Sequence, residues 1–145
     1  FFNTQNLKIM KKLELKHLAP YLPYGLKIQG INHGEIAELS CCTETSVNIT
    51  ARTFQYGMWA DIFDIKPILR PLSDLTKVIQ HNGNEFIPYI EYNYIREFLE
   101  ELSTLDHTYM DHVQYKVIEV LFELHFDVFG LIEKGLAIDI NTIKK

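Results

Sequence analysis

The sequence predicts an α+β domain: a mainly antiparallel sheet with one long C-terminal helix packed on it and two shorter helices at its ends. Three observations carry that expectation. Between residues 26 and 65 apolar and polar side chains alternate in short runs, the period of a strand. Asn32-His33-Gly34 and Asn82-Gly83 supply turn chemistry between extended runs. From Met110 to Leu131 the apolar period lengthens to that of a helix, and no proline interrupts it.

In chain order, Leu13, Leu15, Leu18 and Leu22 with Lys11, Lys12 and Lys16 make a short basic amphipathic opening. Pro20 and Pro23 stop a helix there within about two turns, because each lacks a backbone donor and crowds the preceding turn. Leu26 to Gln29 and Glu35 to Cys41 flank the first turn and read as a hairpin. Ser46 to Arg52 alternates most cleanly, with Val47, Ile49 and Ala51 on one face, as a half-buried antiparallel strand does. Trp59 to Ile65 makes a further strand ended by Pro67, whose missing N–H does not suit a sheet interior.

Pro71 to Asp74 reads as a turn or a short helix start with Ser73 as its N-cap. Val78 to His81 and Glu85 to Ile90, joined by Asn82-Gly83, fit a hairpin with a type I′ turn, since both turn residues accept positive φ. A short helix through Ile79 competes with it. Asn93 caps a helix in which Ile95, Phe98, Leu99 and Leu102 share a face. Thr108 and Asp111 form a capping-box variant at the start of the principal helix, Tyr109 to Lys134. Its row Val113, Val117, Leu121, Leu124, Val128 and Leu131 is widened by Ile118, Phe122, Phe126 and Phe129, so burial against the sheet is expected. Gly135 after Lys134 is its expected stop, and Leu136, Ile138 and Ile140 alternate as a last strand.

The 145 residues are 47% hydrophobic and 23% charged, a globular composition that builds a core without metal or disulfide support. A net charge of -5 argues against general nucleic-acid binding, for which only Lys8, Lys11, Lys12 and Lys16 speak. That charge is uneven: residues 1–60 carry +2 and residues 61–145 carry -7. Cys41 and Cys42 are neighbours, which disfavours a disulfide between them, so free thiols in a reducing cytoplasm are expected. No apolar run approaches the ~18 residues of a membrane span. Phe1 to Ile9 lacks an initiator Met and a signal-peptide pattern, whereas Met10-Lys11-Lys12 reads as a start. Residues 1–9 are therefore expected to lie upstream of a single domain spanning 10–145.

Three blocks, MKKLELKHLAPYLPYGLK (Met10 to Lys27), DIKPILRPLSDLTKVI (Asp64 to Ile79) and LFELHFDVFGLIEKGLAIDIN (Leu121 to Asn141), are specific as strings. Together they resemble a family of small uncharacterised proteins encoded by phages and prophages of Bacteroides-type gut bacteria. The resemblance implies a mobile element and the cytoplasm of a bacterial host, and it carries over no catalytic residue, cofactor or partner.

Candidate chemistry is sparse. His107 and Asp111 stand four apart beside Asp106 and His112, so one helix turn could offer two metal ligands. No second spaced pair completes a site, and an acidic helix N-terminus accounts for the same residues. His125 lies near Glu123 and Asp127, but positions two apart on a helix do not face each other, so any partner for this imidazole comes from another segment. Neither a serine nucleophile elbow nor a phosphate-cradling glycine loop is present, which excludes the common hydrolase and nucleotide motifs. The remaining signal is aromatic: Tyr21, Tyr24, Tyr56, Trp59 and Tyr92 fall in or beside expected turns, and such residues join apolar area to a polar handle at interfaces. The reading is a non-catalytic accessory protein that binds a host or phage protein, without metal or cofactor. A binder of a small nucleotide-type ligand is the alternative, and a metal-dependent enzyme built on the histidines comes after it.

Overall fold

The hairpin expected from alternation is present: β1 (Lys27–Gly30) pairs antiparallel with β2 (Ile36–Cys42), setting Ile28 opposite Ala37. The computed structural model describes residues 12–31, 35–50, 58–93, 95–97 and 111–143. β3 (Ser46–Thr50) pairs with β2 and then with β4 (Met58–Asp61), both antiparallel. On the other side of β1 lies β5 (Ile65–Leu69), again antiparallel. A separate two-stranded hairpin follows, β6 (Ile79–His81) with β7 (Asn84–Phe86). β8 (Ile138–Asp139) completes the large sheet beside β5, as its parallel member, in the order β4-β3-β2-β1-β5-β8.

Before the sheet, α1 (Leu15–Leu18) tightens directly into a 3-10 segment, Ala19–Tyr24, that holds Pro20 and Pro23. Two prolines in six residues cannot donate into an α-helical ladder, so the chain adopts the shorter turn instead. Val47 and Ile49 of β3, Ala37 and Leu39 of β2 and Ile28 of β1 share one face and are buried with Leu18, Tyr21, Leu26 and Leu131. Each Val, Leu and Ile side chain removed from water there adds about 1.5–3 kcal/mol. The Asn82-Gly83 turn has φ of 51° and 84°, the paired positive angles of a type I′ connection.

Four expectations are corrected. Pro67 does not end a strand: it lies inside β5, opposite Ile28. Its nitrogen faces away from β1, toward a β8 ladder that begins only at Ile68, so no sheet bond is lost. Ser73 caps nothing, because the 3-10 turn Leu72–Thr76 starts from Pro71 without a side-chain cap. The last strand is short, two residues of β8 followed by a 3-10 turn at Ile140–Thr142.

The fourth correction is the largest. No single helix runs from Tyr109 to Lys134; α3 (Asp111–Glu123) ends eleven residues before Lys134, after α2 (Pro88–Glu91), a single turn. Phe126 N–H donates to Leu121 O at 2.8 Å and His125 N–H to Phe122 O at 3.1 Å, with His125 at φ 64°. This is the Schellman arrangement, with histidine where glycine is usual. The chain then turns through residues 127–135, and Gly135 at φ 75° closes a second such turn through Leu136 N–H to Leu131 O. Nor does α3 lie across the sheet face. Its Val117, Val120 and Leu121, with Leu124 just past its end, bury with Leu75, Ile79, Ile95 and Phe126 in a second core formed with the β6-β7 hairpin. The helix expected from Asn93 lies mostly outside the described residues.

Candidate functional site

β4 leaves both of its large apolar side chains exposed, although Met58 and Trp59 point to opposite faces of the sheet. Trp59 is 57% and Met58 45% exposed, on the strand that forms one margin of the sheet. Register places Trp59 beside Asn48 and then Cys41, across three strands. Ser40 Oγ donates to the Asn48 backbone oxygen at 2.9 Å, spanning a bulge between Leu39 and Cys41 that twists β2. An open groove of about 580 Å³ adjoins β4, with Ile49, Met58 and Ile65 among its apolar lining and Glu35, Asp61 and Asp64 as its carboxylates. Its described lining contains neither Lys nor Arg. Asp61 also caps the turn that follows, its Oδ1 accepting from Phe63 N–H at 2.8 Å.

The aromatic candidates are scattered. Tyr21 is wholly buried: its hydroxyl donates to Phe126 O and its ring packs edge to face on Phe122. It therefore braces the junction between the two cores and offers no surface to a partner. Tyr24 is half-buried, and its carbonyl accepts from His125 Nε2 at 2.7 Å. Tyr92 is half-buried against Phe86 in the second core, far in sequence from β4. Tyr56 lies outside the described residues. Trp59 alone of the five stands on an exposed strand.

His125 does have partners from other segments, although it sits past the end of α3 rather than within a helix. Arg70, at the end of β5, donates from Nε to Leu124 O at 2.9 Å and from one terminal nitrogen to Gln80 O at 2.8 Å. The same nitrogen lies 3.2 Å from His81 Nδ1, and the His81 and His125 rings meet edge to face at 5.0 Å. A guanidinium only donates and a carbonyl only accepts, so His81 Nδ1 is an acceptor and His125 Nε2 carries a proton. His81 is then neutral, whereas the Tyr24 contact alone leaves the charge of His125 to its surroundings. Burial pushes His125 down to about 4; the Tyr24 carbonyl opposes this, and His81, Arg70 and Lys27 add to it. Burial lowers His81 as well, reinforced by Arg70 and opposed by the Glu123 carbonyl. Burial also lowers Arg70, against the attraction of Asp74.

A general acid or base needs an exchangeable proton near the working pH and access to substrate. Here the ring atoms that are paired face a guanidinium and a backbone carbonyl, and burial lowers both imidazoles, which favours their neutral forms. The arrangement ties β5, the β6-β7 hairpin and the end of α3 together. Arg70 and His81 escaped sequence reasoning, although an arginine ending the buried run Ile65–Leu69 signals a cation with internal partners.

Cys41 is exposed and Cys42 half-buried, both as free thiols, and burial raises the Cys42 thiol further from reactivity. No group of three metal-ligating side chains occurs among the described residues. His107 and the side chains of Asp111 and His112 lie outside that description. No helix among the described residues is long and apolar enough to cross a membrane. The chain matches no protein-family model, no curated protein and no solved structure.

Proposed function

We propose that this protein is a non-catalytic binding protein that engages a phage or host protein through the β4 margin of its sheet. One observation carries the reading: Trp59 stands 57% exposed on a marginal strand beside an open groove. A large aromatic side chain left in water at a rim of apolar and acidic groups has the composition of a contact anchor.

A nucleotide-type ligand fits this groove less well. Phosphate needs positive partners, whereas the groove offers Glu35, Asp61 and Asp64, and Arg70 is buried with its Nε and one terminal nitrogen bonded elsewhere. The direct test is affinity capture from lysate of the bacterial host, comparing the wild type with Trp59→Ala and with Tyr115→Ala, an exposed aromatic on α3. The expected result is a specific protein retained by the wild type and Tyr115→Ala and lost from Trp59→Ala. Equal recovery with Trp59→Ala would overturn the assignment.

A further inference from the structure

We infer that the partner supplies an extended, basic segment that adds to β4 as a further strand, a mode of recognition that rests on the binding function proposed above. The argument starts from the ladder. Ile62 N–H donates to Thr45 O at 2.9 Å, one step beyond the Ser46–Asp61 pair. Antiparallel ladders alternate hydrogen-bonded and non-hydrogen-bonded pairs. Ala60 and Met58 therefore bond to Val47 and Ile49, while the N–H and C=O groups of Trp59 and Asp61 point out of the sheet. Among the described residues β4 has no strand on that side.

Proteins ordinarily blunt such margins with short strands, lysine, proline or a bulge. The opposite margin follows that pattern, since β8 has two residues. β4 has four, Met-Trp-Ala-Asp, with neither lysine nor proline and with both of its large apolar side chains exposed. Strand addition takes affinity from outward backbone groups and specificity from side-chain sites at alternate positions. Here those sites are the apolar side chain of Met58 on one face and, on the other, Trp59 with the carboxylate of Asp61. Charge complementarity then selects lysine or arginine alternating with apolar residues. A second copy of this chain is a poorer occupant, because two-fold pairing on β4 brings the same carboxylates to both sides of the seam.

Trp59 is the sole tryptophan, so its emission reports the site directly. The probes are an octapeptide alternating Lys and Val, its Glu/Val counterpart, and a Lys/Val form N-methylated on the amides of one edge. The Lys/Val peptide should shift Trp59 emission saturably, with affinity falling as salt rises, and the Glu/Val peptide should leave emission unchanged. N-methylation should weaken binding about tenfold, the loss of one to two backbone hydrogen bonds. Asp61 sits at φ -72°, an angle proline accepts, so Asp61→Pro deletes an outward N–H at no cost to the internal ladder and should weaken binding at least tenfold. Asp61→Asn keeps that N–H and the cap acceptor, and should lose about threefold through charge alone. Thermal unfolding confirms that both variants fold.

Absence of any response to the Lys/Val peptide, an equal response to the Glu/Val peptide, or full binding by the N-methylated form would each overturn strand addition. So would a dimer in solution that Asp61→Pro dissociates, since the occupant would then be a second copy. A captured partner that depends on Trp59 while the peptides fail overturns strand addition and leaves the binding function standing. A partner indifferent to Trp59 removes the function assigned to this margin as well.

Discussion

Arg70 Nε donates to the carbonyl oxygen of Leu124 at 2.9 Å, across 54 residues of sequence. That bond satisfies one of the last carbonyls of α3 with a side chain from β5, where water would otherwise be needed. The backbone repeats the connection: Arg70 N–H donates to His125 O and Asp127 N–H to Arg70 O, each at 2.8 Å. Sheet and helix therefore meet at one residue.

Arg70→Met should be among the most destabilising single changes in the protein. It leaves the Leu124 and Gln80 carbonyls and His81 Nδ1 without their donor in a buried place, a loss of about 3 kcal/mol. Arg70→Lys should recover only part, since an ammonium cannot span the three acceptors as the planar fork does. Urea denaturation at neutral pH measures both.

Stability should rise with pH between about 4 and 6.5 and then level. His125 is held at about 4 in the folded protein against an ordinary value of 6.5, so the unfolded chain takes up the proton first as pH falls. The stabilisation is complete above 6.5 and disappears on descent toward 4, amounting to about 3 kcal/mol. His81 and His17 are also lowered by burial and add to the same slope. Urea midpoints from pH 4.5 to 8 should show this rise, and His125→Asn should flatten most of it.

The positive φ of His125 separates backbone strain from side-chain bonding. His125→Gly removes the left-handed penalty but also the 2.7 Å bond to Tyr24 O, so its stability should stay within about 1 kcal/mol of wild type. His125→Ala keeps the strain and loses the bond, and should fall about 1 kcal/mol below the glycine variant. Equal stability of the two would show that the residue carries no strain.

Asp127 is buried, and its carboxylate accepts from Leu131 N–H at 2.7 Å and from Ile132 N–H at 2.9 Å. These bonds hold the turn that replaces the end of the expected helix. Asp127→Ala should cost about 2–3 kcal/mol and lower Tm by about 5–10 °C, with Asp127→Asn between it and wild type. Calorimetry is the direct check.

The sheet was legible because its signals are local. Val47 and Ile49 alternate with Ser46 and Asn48, Asn82-Gly83 admits the turn angles, and neither depends on distant residues. The helix was misjudged for the opposite reason. Phe126, Val128, Phe129 and Leu131 continue a helical apolar period, yet Phe126 pairs with Arg70 as a β-bridge and Asp127 captures the next turn. Apolar spacing reports that residues are buried, and here they bury in two cores on either side of a break. The same limit applied to the aromatics, since composition does not distinguish the Tyr21 side chain inside the core from Trp59 exposed on the marginal strand β4.

By itself, then, the sequence determined the α+β class, the β1-β2 and β6-β7 pairings and the free thiols, because alternation, turn chemistry and cysteine adjacency act over a few bonds. Only the tertiary structure decided where α3 stops, why Pro67 is tolerated inside the sheet, and that Arg70, His81 and His125 converge. It also decided that β4 is left as a margin with Trp59 in water. Those outcomes depend on which segments arrive beside one another, and a one-dimensional pattern does not contain that information.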